Sequence, residues 1–340
     1  MRLRTSHPDA PGWRRERHGG GFRYVDTRGQ RLPEAERRRA RALVIPPAWQ
    51  DVWICPWSNG HIQAVGTDAA GRRQYLYHEA FRAQRDTAKH EHVQSVARSL
   101  PRLREQVERD LTGTGLTRVR VLACVTRLLD LGFLRIGGER YARDNGSYGL
   151  TTLLREHASC RRGEIRLDFP AKSGKRVTRA LVDEQADGVI RAQLRRKDAG
   201  PRLFAYWEHR AWHEVRAGEL NDYLRERSGR DVTAKDFRTW YATVLAAVAL
   251  GVSANTADAP RALRDRVVAR AVREVSDYLG NTPAVCRASY IDPRIIELYD
   301  DGRTIAPVLD DLGENGLFGR PATHGAVERA VLELLRTGRL

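Results

Sequence analysis

The sequence predicts an α+β protein in which a small N-terminal β-sheet domain precedes a larger, mainly α-helical domain that contains a three-stranded sheet. Three observations carry this. Short β-compatible runs separated by tight-turn signals fill residues 22–77. From 78 to 100 the chain turns polar and helix-prone without turn residues, which marks a boundary. Beyond it helical periodicity dominates, interrupted by one β-rich patch between 149 and 182. The reading divides the chain into a basic arm over 1–20, an N-terminal β domain over 21–85 and a second domain over 86–340.

The opening residues, rich in Arg and Gly, predict a loosely ordered arm ahead of Phe22-Arg23-Tyr24-Val25, which reads as a strand. Pro46-Pro47 follows, then a strand over 51–55, an Asn59-Gly60 turn, a strand over 61–65 and a turn near Gly71 that leads into 72–77. Alternate residues of a strand share a face, so Arg73, Tyr75 and Tyr77 lie on one side and Arg72, Gln74 and Leu76 on the other. A face of arginine and aromatic rings suits a nucleic-acid surface, where arginine meets phosphate and Gln or Tyr reaches base edges. It fits cross-strand aromatic packing equally well.

In the second domain Val121, Leu122, Val125, Leu128 and Leu129 form one apolar helical stripe, ended by Gly132. Arg135 follows in Phe133-Leu134-Arg135-Ile136-Gly137, a cation in an apolar, glycine-rich setting. Long cations are rarely buried unless paired, so Arg135 either meets a structural carboxylate or points into a site. The β-rich patch predicts strands at 149–154, 165–169 and 177–182, and the turn at 170–175 projects Lys172 from a hairpin tip. Ser173-Gly174-Lys175 lacks the upstream glycine spacing and the following Ser or Thr of a phosphate loop, so nucleotide binding is rejected.

Thr233-Ala234-Lys235-Asp236 resembles a capping box and opens a helix whose Phe237, Trp240, Tyr241, Val244 and Val248 face the core, with Arg238 in its first turn. Leu263, Val267, Ala271, Val275 and Tyr278 mark a long helix stopped by Gly280. Thr282 then offers a cap oxygen and Pro283 takes the first helical position, so a short helix runs through Tyr290 with Arg287 on the same face. Taken alone, that segment is a connector helix with a surface tyrosine. A final helix covers 325–335.

A net charge of +16, from 59 Lys plus Arg against 43 Asp plus Glu, calls for a polyanionic partner, and nucleic acid is the first candidate. The positive charge is spread along the chain, and no apolar run is long enough to span a bilayer, so no membrane partner is expected. Cys55, Cys124, Cys160 and Cys286 are far apart and form no CxxC pair, which points away from a zinc module or a disulfide framework and toward a reducing cytoplasm.

The candidates Arg135, Lys172, Arg238, Asn281 and Tyr290 occur in an order and spacing that is similar to a known family. Phe133-Leu134-Arg135-Ile136-Gly137, Phe169-Pro170-Ala171-Lys172, Lys235-Asp236-Phe237-Arg238-Thr239 and Gly280-Asn281-Thr282-Pro283 with Tyr290 resemble the active-site segments of the poxvirus-type (type IB) DNA topoisomerases, found also in bacteria. Ile45-Pro46-Pro47-Ala48-Trp49 and Gly71-Arg72-Arg73-Gln74-Tyr75-Leu76-Tyr77 resemble that family's small β domain, so the likeness runs from about 22 to 290.

The resemblance implies a tyrosine recombinase-like catalytic domain over 86–340 and a DNA-binding domain over 21–85, closing as a clamp around duplex DNA, which narrows the polyanionic partner to double-stranded DNA. The DNA contacts are then Arg73, Gln74, Tyr75, Tyr77 and Tyr141, and the catalytic set is Arg135, Lys172, Arg238, Asn281 and Tyr290. It further implies relaxation of positive and negative supercoils through a 3′-phosphotyrosyl intermediate, with no metal, no nucleotide and no other cofactor, by a monomer working in the cytoplasm at the nucleoid. Asn281 departs from the pattern, since the family usually has histidine there. Two other readings stand. A tyrosine recombinase or integrase shares the constellation but usually carries His-x-x-Arg where this chain has Lys235-Asp236-Phe237-Arg238. A non-catalytic basic DNA-binding protein would form no covalent adduct with DNA.

Overall fold

In the computed structural model, strand β1 (Trp13–His18) occupies part of the stretch that the sequence assigns to a loose arm. The structure describes residues 2–198, 200–256, 259–309 and 323–339. Strand β1 is internal to a sheet, pairing antiparallel with β2 (Gly21–Val25) on one side and β3 (Gln50–Ile54) on the other. Its sequence, Trp-Arg-Arg-Glu-Arg-His, looks too polar for that place. Hydrogen bonds resolve the conflict. The buried Arg15 guanidinium donates to the carbonyls of Ile45 at 2.8 Å, Pro46 at 2.9 Å and Trp49 at 2.8 Å. A proline-rich loop suits this task, because it offers carbonyl acceptors while Pro46 and Pro47 bring no N–H of their own.

With β4 (Ile62–Thr67) and β5 (Arg73–Tyr77) the antiparallel sheet runs in the order β2-β1-β3-β4-β5. Helix α1 (Glu34–Ala42) adds Ala40 to a small core of Trp13, Tyr24, Leu32, Ile45, Val52, Ile54 and Ala64. The chain separates into two units, residues 1–91 and 92–340, and helix α2 (Glu79–Leu111) crosses the division.

In the second unit α3 (Arg118–Gly132) starts on Thr117, whose hydroxyl accepts from the Arg120 backbone N–H at 3.4 Å. Its stripe of Val121, Leu122, Val125, Leu128 and Leu129 is fully buried, about 1.5–3 kcal/mol for each side chain. The residue that turns left-handed at its end is Phe133, with φ 51°, rather than Gly132. The Phe133 ring is held there edge-on to Tyr241 at 4.3 Å and to Tyr278 at 5.2 Å.

After α4 (Glu139–Asn145) comes a second departure. Residues 149–154, expected as a strand, instead contain a 3₁₀ turn at Leu150–Thr152. The Thr152 hydroxyl accepts from Gly149 N–H at 2.9 Å and donates to the Gly149 carbonyl at 3.0 Å, closing the turn locally. The three-stranded sheet is made by β6 (Ala158–Arg161), β7 (Glu164–Pro170) and β8 (Arg176–Val182), in that order.

Among the described residues the regular elements that follow are helices apart from one hairpin: α5 (Glu184–Leu194), β9 (Ala205–Glu208), β10 (Ala211–Glu214), α6 (Ala217–Ser228), α7 (Ala234–Val252), α8 (Arg261–Leu279), α9 (Pro283–Ser289), α10 (Pro293–Asp300) and α11 (Ala326–Thr337). The Asp236 carboxylate accepts from the Thr233 N–H at 2.9 Å and hydroxyl at 2.7 Å, fixing the start of α7. Among the described residues no helix is long and apolar enough to cross a membrane.

Candidate active site

Arg135 stands on the loop after α3, and that loop is pinned to the following 3₁₀ turn. Leu150 N–H donates to the Arg135 carbonyl and Thr151 N–H to the Ile136 carbonyl, both at 2.8 Å. The two backbones approach so closely that a Cβ on Gly149 would stand 2.5 Å from Gly137 Cα, so neither position has room for a side chain. Of the two alternatives that its sequence context offered, the Arg135 guanidinium takes the second: among the described residues it meets no carboxylate. It donates to the Gly280 carbonyl at 3.1 Å and to the side-chain oxygen of Asn281.

Gly280 ends α8 in the left-handed region, φ 64°, and this sends the chain back past Arg135. Thr282 caps α9 and Pro283 opens it, as the local sequence predicts. The helix stops at Ser289, leaving Tyr290 as its C-terminal cap residue. Tyr290 is held from two sides: its N–H donates to the Cys286 carbonyl at 3.0 Å, and its carbonyl accepts from the Thr243 hydroxyl at 3.4 Å.

Arg238, in the first turn of α7, is buried and donates to the carbonyls of Phe133 at 2.6 Å and Leu279 at 2.8 Å. Its guanidinium carbon lies 5.6 Å from the centroid of the Tyr290 ring. Burial, reinforced by the charge of Arg135 and opposed by Tyr290, pushes Arg238 down to about 10, so the group stays charged at neutral pH. Burial lowers Arg135 as well, again against Tyr290. Two buried N–H groups here have no acceptor, Arg238 Nε and the side-chain amide Nδ2 of Asn281. An anionic oxygen at this place would supply what both lack.

The structure thus brings together Arg135, Arg238, Asn281 and Tyr290, from three separate stretches of sequence. Lys172 stands apart on the exposed β7–β8 turn, where Ser173 and Gly174 are both left-handed, at φ 65° and 70°. Lys175 of the same turn makes the link, its Nζ donating to the Asn281 carbonyl at 3.3 Å. The sequence reading weighed Lys175 only as part of a phosphate loop, which it rejected, and gave it no place in the site; its signal was a second lysine within one short turn. Among the described residues no group of three or more His, Cys, Asp or Glu side chains is placed to hold a metal ion.

In the first unit Arg73, Tyr75 and Tyr77 do share a face of β5. The Arg73 guanidinium carbon lies 5.9 Å from the Tyr75 ring centroid, and the Tyr75 and Tyr77 rings stack at 6.0 Å. Phe81, 5.5 Å from Tyr77, and Arg85, 5.8 Å from it, extend the patch onto α2. Gln74 is separated from this group, its amide donating to Asp68 at 2.9 Å. Tyr141 lies in the second unit on α4, 56% exposed between Arg140 and Arg143.

Residues 78–302 match the family model of the eukaryotic DNA topoisomerase I catalytic core, and residues 21–68 that of the bacterial DNA topoisomerase IB N-terminal domain. Over 296 residues the chain is 31% identical to the DNA topoisomerase 1B of Acanthamoeba polyphaga mimivirus, covering 84% of this chain and 87% of that protein. It is 20% identical over 238 residues to the DNA topoisomerase I of monkeypox virus and to the DNA topoisomerase 1B of vaccinia virus, covering 70% of this chain and 72% of each relative. A core match over most of the second unit, joined to a bacterial N-terminal match in the first, makes the chain a member of the poxvirus-type and bacterial family of type IB DNA topoisomerases.

Proposed function

We propose that this DNA topoisomerase relaxes positive and negative supercoils by transient cleavage of one strand, with Tyr290 as nucleophile and Arg135, Arg238, Asn281 and Lys172 as its assistants. The convergence of the buried Arg238, the half-buried Arg135 and an asparagine amide around one tyrosine carries the reading. A phosphodiester resists attack because its anionic oxygens repel the nucleophile. Guanidinium groups already in place offset that charge as the transition state forms. Tyrosine, with an ordinary pKa near ~10, gains nucleophilicity where cations stabilise phenolate character.

In the forward step the Tyr290 oxygen bonds to phosphorus as the bond from phosphorus to O5′ breaks. The phenolic proton passes to solvent, and Lys172 gives a proton to O5′. The 3′ phosphate then stays on Tyr290 while the free 5′ hydroxyl strand rotates about the intact one. Religation is the reverse: the 5′ hydroxyl attacks phosphorus and the tyrosine oxygen leaves. The phosphotyrosine retains the energy of the broken bond, so no ATP is consumed, and protein cations occupy the role that a metal plays in other phosphoryl-transfer sites. All five residues belong to one chain, so a monomer suffices.

Supercoiled plasmid, incubated with chelator and without ATP, tests the reading. Complete relaxation of both signs of supercoil is expected, and an absolute magnesium requirement would reject the mechanism. Tyr290→Phe removes only the reacting oxygen, so DNA binding should persist while covalent trapping disappears. Trapping at another tyrosine would show that Tyr290 is the wrong residue.

A further inference from the structure

Helix α11 lies beyond residue 302, where the match to the catalytic-core family model ends, and the chemistry above gives it no task. Yet it sends charge into the core. Glu328, 6% exposed, accepts from Arg104 at 2.6 and 2.9 Å, from the Trp240 indole N–H at 3.0 Å and from the Gly325 N–H at 3.1 Å. Just ahead of the helix, His324 Nε2 lies 2.8 Å from the Tyr241 hydroxyl, which itself donates to Asp130. Arg104 closes the circuit by donating to Asp130 at 2.8 Å and to Tyr241 at 2.7 Å. Burial pushes the Asp130 carboxyl up, but Arg104 and its other partners outweigh this and hold it below the ordinary carboxylate range. Burial lowers His324, against the pull of Asp130.

The far ends of this circuit lie next to the two arginines of the site. Asp130 is on the last turn of α3, just before the loop that carries Arg135. Trp240 and Tyr241 are on α7, within one turn of Arg238. The Tyr241 ring packs edge-on against Phe133, and the Phe133 carbonyl is one of the two anchors of the Arg238 guanidinium. A buried ionic circuit is a poor way to add stability, since well-packed apolar side chains often do as well or better. What it adds is a single allowed geometry, because each member satisfies several others at fixed distances.

We propose that Glu328 and His324 are positioning residues for Arg135 and Arg238, acting through Arg104, Asp130 and Tyr241 without touching DNA. The proposal rests on the reading of the two arginines as transition-state cations. Glu328→Gln keeps the shape of the side chain and withdraws the charge that Arg104 faces. Single-turnover adduct formation should slow on the order of 10- to 100-fold, the scale on which small misplacements act, with DNA affinity unchanged. The discriminating substrate carries a methylphosphonate at the scissile position. Its missing negative charge leaves the arginines less to neutralise, so the defect of Glu328→Gln should largely vanish there. A purely structural fault would slow both substrates alike.

Leu335→Ala, a core truncation on the same helix, serves as the stability control. If it loses as much thermal stability as Glu328→Gln and slows ordinary cleavage as much, the proposal fails; equal defects of Glu328→Gln on the two substrates would also overturn it. Should Glu328→Gln not fold, His324→Gln at the helix entrance takes its place in the same comparison. The parent's Tyr290 adduct is scored first, so its absence would reject the function reading itself, separately from any result with the variants.

Discussion

Arg238 and Lys172 stand at opposite extremes of the same unit. Arg238 is 5% exposed, held by two backbone carbonyls from two different segments, on a helix whose start is fixed by a capping carboxylate. Lys172 is exposed at the tip of a hairpin, in a turn with two left-handed residues, and nothing among the described residues hydrogen-bonds or pairs with it. The difference corresponds to two kinds of work. A cation that stabilises charge in a transition state contributes most when it needs no reorganisation, which requires burial and fixed anchors. A group that hands over a proton needs only to lie within hydrogen-bond reach of its acceptor, which an exposed turn can offer to a bound substrate.

The largest effect should come from the buried side. Arg238→Ala is expected to slow single-turnover cleavage about 10³- to 10⁵-fold, the range seen for arginines that neutralise phosphoryl transition states. Arg238→Lys should recover little, because one ammonium cannot hold both carbonyl anchors and still face the phosphate. Full recovery with lysine would mean that charge matters here and geometry does not.

On the exposed side, Lys172→Ala should slow cleavage of ordinary DNA about 10²- to 10⁴-fold. The same variant should run close to the parent rate when sulfur replaces the bridging 5′ oxygen, since that leaving group needs no proton. Lys175→Ala supplies the contrast, with the smaller defect and no rescue by sulfur. Rescue of Lys175→Ala instead of Lys172→Ala would move the proton donor to the lysine that already touches the Asn281 carbonyl.

Asn281 sharpens the comparison because it is fixed like the arginines but uncharged. Its unpartnered amide can donate to a phosphate oxygen, and a neutral donor is roughly half as strong as a charge-assisted one. Asn281→Ala should therefore cost one to a few orders of magnitude in cleavage rate, on the order of losing one oxyanion donor. Asn281→His should stay active and run faster near or below neutral pH, where the imidazole is charged. An alanine variant as fast as the parent would leave Asn281 with only its place at the helix end. The smallest effect belongs to the first unit: Arg73→Ala should reduce the salt slope of DNA binding by about 1 without changing the cleavage rate at saturating DNA.

What could be read from sequence was whatever a few neighbouring residues decide. Thr282 with Pro283, Thr233 with Asp236, and Gly280 each carry their own stop or start signal, and the structure uses all of them. Arg135 and Arg238 stood out because a cation beside apolar residues is unusual within a short window. Strand Trp13–His18 was hidden because what makes Arg15 tolerable inside is a set of carbonyls from residues 45–49. The turn at Leu150–Thr152 was hidden because two adjacent threonines favour a strand until one hydroxyl closes back on Gly149. The partnership of Arg104 with Glu328 spans 224 positions, and no local pattern can announce it.

The brevity of α9 has a consequence for how the tyrosine moves. At 7 residues it falls well below the ~12–15 at which an isolated helix becomes even marginally stable in water, and Cys286 is its one buried side chain. Its helical state is thus lent to it by its neighbours, through Cys286, the buried Ile291 just beyond it and the Thr243 hydroxyl. The segment should behave as a weakly protected cooperative unit, opening without the unfolding of α7 or α8. Amide hydrogen exchange across 283–289 should accordingly be fast in the free protein and slow once a phosphodiester bridges Tyr290 to the arginines. Order at the nucleophile would then be conferred by the substrate it is about to attack.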